Sequence, residues 1–283
     1  MPGARRAPPP TATPTPHHLR RENTAVTTVA HKPAPDTITS VGPDLRDTLR
    51  EQRYALVPAA DLTLSPELAA AFDGLQASWG RLTPDTHFGG GDRAVRTRRY
   101  SDFTYVPATG ELAPLDHVAY YQSEAMNAFV GGIERHFGDV EEATYRNPLF
   151  QALVRYDFDN LPVEDEYRDR AWVCQIHQIR IEINPGKYNE LVPEGIHSDG
   201  YPWAGLHLIS RVDVEGGHST VFTWDEEPLA KGTFLTPLDS LIFEDRAMKH
   251  HVTGLSAAED KGGYRDVLAI SFSLPGSPYE TLV

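Results

Sequence analysis

The chain has 283 residues, a formal net charge of −14 at pH 7 and a single cysteine, Cys174. One cysteine excludes an internal disulfide and a thiolate-rich metal cluster, and no apolar run approaches the roughly 18 residues of a membrane span. The acidic balance argues against nucleic acids and anionic membrane surfaces as partners. Because the N-terminus also lacks the apolar stretch of a secretory signal, the sequence predicts a cytoplasmic protein whose partner is a small molecule.

Residues 1–40 differ in composition from the rest of the chain. They are rich in Pro, Thr and Ala, as in PPPTATPTPHHLRR, and they hold five Lys or Arg against two Asp or Glu. Such a segment buries too little apolar surface to offset the entropy of ordering, so it is predicted to be a disordered arm with a charge of about +3. Residues 41–283, with a charge of about −17, are predicted to form one domain.

The first part of this domain, residues 44–170, is predicted to carry the helices. In DLRDTLREQRYALV, Asp44 is placed to cap a helix that is followed by an extended run. In SPELAAAFDGLQASWGRL, Ser65 is the cap, a proline follows it, and apolar residues recur every three to four positions. NPLFQALVRYDFDNL predicts a further short helix, whereas the segment from Leu115 to Phe137 is predicted to be extended or irregular and then to form a turn.

From residue 172 the pattern changes to β-strands. Runs such as WVCQIHQIRIEI and YRDVLAISFS are rich in β-branched and aromatic residues and are bounded by Gly, Pro and Asp turns. Further runs of this kind are GLHLISRV, STVFTW, GTFLTPL, SLIFED and HHVTGL. Short regular strands after a helical part predict a mainly β fold with flanking helices, built on an antiparallel barrel or jelly roll whose core is residues 172–275.

The stretch PEGIHSDG contains a histidine and an aspartate two residues apart. On extended backbone His197 and Asp199 point to the same side, and Gly200 lets the chain turn away. With one more histidine they make the set of two histidines and one carboxylate that holds Fe(II) on one face and leaves other positions open. The run RAMKHHVTGL offers His250 and His251, of which strand alternation allows only one to face the metal.

A late strand supplies an arginine among small residues. Arg265 shares one face of YRDVLAISFS with Val267, Ala269 and Ser271. A buried guanidinium needs an anionic partner, and its planar fork suits a carboxylate. Arg265 is therefore predicted to bind the carboxylate of a cosubstrate, the alternative being a surface salt bridge.

Five residues are candidates for contacting the substrate. Gln178 and Arg180 share a face of one strand, and polar groups that point into the barrel would suit a small zwitterion. Arg96 and Arg98 lie on the arginine-rich run VRTRRYSDF and could reach a substrate carboxylate. Trp203, just after the histidine–aspartate pair, is predicted to form a pocket wall. The alternatives are a solvated charge or a structural hydrogen bond for the polar residues and core packing for the tryptophan.

Several motifs, taken together in one order, resemble those of bacterial Fe(II)/2-oxoglutarate dioxygenases of the L-isoleucine 4-hydroxylase type. They are HQIRIEI, GIHSDGYPWAGLHLISR, EGGHSTVF, PLDSLIFEDRAMKHHVTGL and YRDVLAISFS, and the similarity extends upstream through VRTRRYSDF, YYQSEAMNAFVGG and NPLFQALVRYD. The resemblance implies a double-stranded β-helix that uses Fe(II), 2-oxoglutarate and O2. It selects His250 over His251, so that the implied iron ligands are His197, Asp199 and His250. The implied 2-oxoglutarate partner is Arg265.

The resemblance also implies a reaction. An enzyme of this type hydroxylates an unactivated C–H bond of a free or small derivatised amino acid and converts 2-oxoglutarate to succinate and CO2. The aspartate at position 199 favours hydroxylation, because related halogenases leave that position empty for a halide. Two alternatives stay open. The same oxidation could end in desaturation, epoxidation or cyclisation of a small metabolite, or the barrel could bind a metal or ligand without catalysis.

Overall fold

The computed structural model describes residues 37–87, 95–124, 126–127, 129 and 131–282. Of the predicted arm, only residues 37–40 fall within these ranges, and Thr39–Ser40 pair with Leu62–Thr63. Within the described ranges, every helix is too short or too polar to cross a membrane.

Two of the helices begin at the caps that the sequence predicts. The side chain of Asp44 accepts a hydrogen bond from the backbone N–H of Asp47, and that of Ser65 accepts one from Leu68. In the same way, the side chain of Asn147 caps the helix that starts at Pro148 and accepts hydrogen bonds from the backbone N–H groups of Leu149 and Phe150. The helices are α1 (Leu45–Gln52), α2 (Pro66–Ala77), α3 (Glu142–Tyr145), α4 (Pro148–Asn160) and α5 (Asp165–Arg168).

Among the described residues, antiparallel strands hold about twice as many residues as the α-helices, which confirms the mainly β fold. They are β1 (Thr39–Ser40), β2 (Tyr54–Val57), β3 (Leu62–Thr63), β4 (Thr83–Pro84), β5 (Val95–Val106), β6 (Glu111–Pro114), β7 (Trp172–Ile183), β8 (Tyr188–Asn189), β9 (Trp203–Val212), β10 (Val214–Gly216), β11 (His218–Phe222), β12 (Pro228–Thr233), β13 (Ser240–Phe243), β14 (Lys249–Val252), β15 (Leu255–Ala257) and β16 (Gly263–Ser273). Among the described residues, the main sheet has eight strands in the order β2-β13-β9-β16-β7-β5-β4, with β6 beside β5. Smaller sheets have the orders β12-β11-β14 and β10-β15-β8.

The main sheet separates an apolar core from a cavity, as β16 illustrates. Leu268, Ile270 and Phe272 lie in the large core with buried residues of α1, α2 and α4. The opposite face of β16, which carries Arg265 and Ala269, lines a cavity of about 150 Å³. Residues of β11 and β14 line the same cavity, so it lies between the main sheet and the sheet β12-β11-β14.

One predicted strand is wrong. GTFLTPL does not continue as a strand, because β12 ends at Thr233. The carboxylate of Asp239 then accepts hydrogen bonds from the backbone N–H groups of Leu235 and Thr236, both at 2.8 Å. A side chain that satisfies consecutive backbone donors in this way stabilises a turn rather than a strand.

Candidate active site

Three side chains predicted as metal ligands meet at the cavity. The ligand atoms of His197, Asp199 and His250 all lie within 4.8 Å of one another. The Nε2 atoms of the two histidines are 3.8 and 3.7 Å from the two carboxylate oxygens of Asp199. An ion that binds imidazole nitrogen and carboxylate oxygen at about 2 Å requires donors within about 4 Å of each other. The donor set and its spacing therefore fit one divalent ion with open coordination positions.

Backbone pairing brings these ligands together from distant parts of the chain. His197 lies just before β9 and forms an isolated antiparallel bridge with His250 of β14. Their backbones exchange two hydrogen bonds, of 3.1 and 2.7 Å. Residues 197–199 are outside any regular strand, yet their side chains alternate as on extended backbone. Ser198 points away from Asp199 and donates a hydrogen bond of 2.9 Å to the carbonyl oxygen of Asp245.

Asp245, which the sequence interpretation missed, holds the extended segment in place. It is fully buried, and its carboxylate accepts the backbone N–H groups of Asp199 at 3.1 Å and Tyr201 at 2.9 Å. The same carboxylate lies 3.3 Å from Nδ1 of His250. The sequence signal for Asp245 is its position at the end of the apolar run SLIFED. A carboxylate buried there needs hydrogen-bond donors from elsewhere in the chain.

The imidazoles are oriented with Nε2 towards the metal position. Nδ1 of His197 donates to the carbonyl oxygen of Gly195 at 3.0 Å, and Nδ1 of His250 faces Asp245. Backing one ring nitrogen with an oxygen fixes the ring and leaves the other nitrogen for a metal. Burial acts to lower the pKa of His250, but Asp245 and Asp199 outweigh it and raise the pKa. Burial acts to raise the pKa of Asp199, but His197, His250 and a neighbouring amide outweigh it and lower the pKa.

That amide belongs to Gln122, a second residue that the sequence interpretation missed. Its Nε2 donates to Oδ1 of Asp199 at 2.7 Å, and its Oε1 accepts from Arg135 at 2.6 Å. Arg135 is almost fully buried. Gln122 lies outside any regular strand or helix, in the segment that the sequence predicts to be extended or irregular. No periodicity in the motif YYQSEAMNAFVGG marks the inward positions.

Arg265 lies on β16 and lines the cavity, as predicted. It is 8% exposed, and within the described ranges its Nε has no hydrogen-bond partner. Burial and the nearby Arg211 lower the pKa of Arg265 to about 10, although Asp266 opposes this. A buried guanidinium with an unused donor needs an anion, and the cavity is where one could bind.

Arg96 and Arg98 also line the cavity, two strands away from Arg265 in the main sheet. Arg98 is buried and donates through Nε and Nη2 to Nδ1 of His177, at 3.2 and 2.7 Å. Because Nδ1 accepts, His177 is neutral, and burial together with Arg98 lowers its pKa well below the ordinary value. Arg96 lies 3.7 Å from Asp85. Burial and Arg98 lower the pKa of Arg96 to about 10, against the attraction of Asp85 and Glu194.

Three predicted substrate contacts are placed elsewhere. On β7 the residues that line the cavity are His177, Ile179 and Ile181, so the face assigned to the cavity was the wrong one. Gln178 is buried on the other face and donates to Ser78 at 2.8 Å. Arg180 on that face forms two hydrogen bonds of 2.7 Å with Asp266.

Trp203 is likewise part of the apolar core behind the main sheet. Its neighbour Ala204 is the one that lines the cavity, because adjacent residues of β9 point to opposite faces. The sequence also predicts that only one of His250 and His251 faces the cavity, and this prediction is too strict. His251 lines the cavity alongside His250, although it is not among the three residues whose ligand atoms converge.

Comparisons with known proteins agree with this arrangement. L-isoleucine-4-hydroxylase of Bacillus thuringiensis is 27% identical over 182 residues, which are 63% of this chain and 75% of that protein. The 3(1)-hydroxy-L-isoleucine 4-dioxygenase of Pantoea ananatis is 26% identical over 168 residues, or 58% and 67% of the two chains. The crystal structure of IDO from Bacillus thuringiensis superimposes with a TM-score of 0.67 at 20% identity and covers 84% of this chain and 98% of that one.

A crystal structure of a bsmA homolog from Methylobium petroleophilum superimposes with a TM-score of 0.66 at 26% identity, covering 81% of this chain and 91% of that one. These neighbours confirm the double-stranded β-helix. The family model described as 2OG-Fe dioxygenase matches residues 76–271, a range that includes the residues lining the cavity. This match spans well over half of the chain, and the protein therefore belongs to the 2OG-Fe dioxygenases, enzymes that use iron, 2-oxoglutarate and O2.

Proposed function

We propose that this protein hydroxylates an unactivated C–H bond of a free or small derivatised amino acid. Substrate, 2-oxoglutarate and O2 are converted to hydroxylated substrate, succinate and CO2, with one oxygen atom entering the substrate and the other the succinate. The observation that carries the proposal is the donor set of His197, Asp199 and His250, which fits one metal ion with open coordination positions and lies in a small cavity with aliphatic walls. Two relatives, an isoleucine hydroxylase and a hydroxyisoleucine dioxygenase, support a small amino acid as the substrate.

The cavity residues have separate tasks in this proposal. His197, Asp199 and His250 hold the iron, and Arg265 receives the far carboxylate of 2-oxoglutarate. Bound iron and 2-oxoglutarate supply the oxidising power for attack on an unactivated C–H bond.

The amino acid is held between the arginine-rich strand and the aliphatic wall. Arg98 and Arg96 of β5 receive its carboxylate. Ile179 and Ile181 lie on β7, the strand between β5 and β16, and Val267 lies on β16 two residues after Arg265. In this proposal these three side chains exclude water and contact the hydrocarbon side chain of the substrate.

The test is an assay of succinate formation across a panel of free amino acids that begins with L-isoleucine. The iron-loaded protein is mixed anaerobically with 2-oxoglutarate and one amino acid before air is admitted. We expect one or a few aliphatic amino acids to raise succinate well above the amino-acid-free rate and to gain one oxygen atom by mass spectrometry. An Arg265→Gln variant should then need roughly tenfold to hundredfold more 2-oxoglutarate, while Arg170→Gln, on the surface, should not.

Two outcomes would contradict the proposal. Succinate coupled to the loss of two hydrogens would assign desaturation or ring closure instead. Succinate that no amino acid stimulates above background would exclude free amino acids as substrates.

A further inference from the structure

One buried acid in the cavity has no role in the chemistry described above. Glu194 lines the cavity three residues before His197, and its side chain is 10% exposed. Among the described residues, its Oε2 has no hydrogen-bond partner. A buried carboxylate oxygen without a donor is costly, so a cationic or hydrogen-bonding group is expected to complete this position.

Glu194 lies beside the iron position without belonging to it. Its Oε1 is 4.0 Å from Nε2 of His197, yet the group of mutually close ligand atoms contains only His197, Asp199 and His250 in the described part of the chain. Among the residues lining the cavity, Glu194 and Asp199 are the two acids. Because Asp199 is a ligand of the metal in this proposal, Glu194 is the acid in the cavity that can contact the substrate.

The same region of the cavity carries positive charge. Arg96 and Arg98 line the cavity together with Glu194, and the negative charge of Glu194 acts against the lowering of the Arg96 pKa by burial, although burial prevails. An α-amino acid carries its ammonium and carboxylate groups on one carbon atom, so its binding site needs a negative and a positive side chain close together. Arg96 and Arg98 supply the positive charge for the substrate carboxylate, and Glu194 supplies the negative charge for the ammonium group.

We propose that Glu194 accepts the ammonium group of the substrate and thereby selects amino acids over the corresponding deaminated acids. This inference rests on the proposed function, and it adds a residue that determines which class of substrate can bind. A charge-assisted hydrogen bond in a buried site supports a discrimination of about tenfold to a hundredfold. The amine must then be free, so acylation at nitrogen should also prevent binding.

The test compares Glu194→Gln with Glu190→Gln. Glutamine keeps the shape of the side chain and removes its charge, and Glu190 is exposed on the surface four residues earlier. Binding of L-isoleucine and of 3-methylpentanoic acid, which lacks the amine, is measured by anaerobic calorimetry on protein loaded with Co(II) and 2-oxoglutarate. We expect Glu194→Gln to weaken L-isoleucine binding by about tenfold to a hundredfold, and to change the affinities for 3-methylpentanoic acid, Co(II) and 2-oxoglutarate less than threefold.

The outcomes separate this inference from the proposed function. Unchanged L-isoleucine affinity in Glu194→Gln, or an equal loss for both ligands, overturns the assignment of Glu194 while leaving amino acid hydroxylation intact. A loss of Co(II) affinity would make Glu194 a metal ligand and also overturn it. If neither L-isoleucine nor any other amino acid in the succinate assay binds or is turned over by the wild-type protein, both proposals fail together.

Discussion

The amide of Gln122 donates a hydrogen bond of 2.7 Å to the carboxylate of Asp199. Arg135 and Asn127 in turn donate to the carbonyl oxygen of this amide, at 2.6 and 3.2 Å. These contacts fix which way the amide points, because its oxygen is already engaged and only its NH2 group can face Asp199. An irregular segment thus determines the orientation of a carboxylate that it precedes by many residues.

Replacing Gln122 should weaken metal binding without unfolding the protein. Groups that orient a metal ligand typically change metal affinity by about tenfold to a hundredfold when removed. We expect a loss of this size for Co(II) in Gln122→Leu, measured by calorimetry on the metal-free protein. Gln151→Leu is the matched control, because that amide bonds the carbonyl oxygen of Tyr145 outside the site. Equal Co(II) affinities in the two variants would contradict the orienting role.

The adjacent histidines of β14 allow a direct test of the ligand assignment. Both line the cavity, but only the ligand nitrogen of His250 converges with His197 and Asp199. We expect His250→Ala to lose at least a hundredfold in Co(II) affinity and to abolish succinate formation, and His251→Ala to keep Co(II) affinity within about threefold. The reverse result, with His251→Ala losing the metal, would show that the sequence motif and the geometry select the wrong residue.

The fold was predictable because its signals are local. The caps at Asp44 and Ser65 and the alternation along β16 follow from hydrogen-bonding capacity and strand geometry alone. The convergence of His197 and Asp199 was predictable for the same reason. It required only that two side chains on extended backbone share a side.

The errors on β7 arose because polarity was used to choose the inward face. Gln178 and Arg180 are polar but buried away from the cavity, since Ser78 and Asp266 complete their hydrogen bonds. Those partners come from distant positions in the chain, and no local sequence pattern predicts them. Glu194 was missed for a related reason, because in the sequence it resembles any loop acid next to a glycine.

The correction at Arg180 leads to a prediction about stability. Arg180 pairs with Asp266, whose side chain is fully buried. Removing one member of a buried ion pair leaves the other charge without compensation and typically costs about 3–5 kcal/mol. Arg180→Met should therefore lower the free energy of unfolding in urea by that order. The double variant Arg180→Met/Asp266→Leu should recover much of the loss, because both charges are then gone.

Kinetics distinguish this structural role from the one that the sequence suggested. If Arg180 bound substrate, Arg180→Met would raise the KM for the amino acid without a stability defect, and the double variant would not recover it. We expect instead that the folded fraction of either variant binds L-isoleucine with nearly unchanged affinity.

His177 should make the protein less stable in acid. Burial and Arg98 hold its pKa well below the ordinary 6.5, so the folded state keeps this imidazole neutral while the unfolded chain takes up a proton below that pH. The unfolded state then binds more protons than the folded one, and stability is lost as the pH falls through about 6.5, at up to about 1.4 kcal/mol per pH unit. His177→Gln removes the titrating group and keeps an acceptor for Arg98. Urea unfolding of both proteins between pH 7 and pH 5 should therefore show a shallower decline in the variant, whereas parallel curves would mean that His177 is protonated in the folded state.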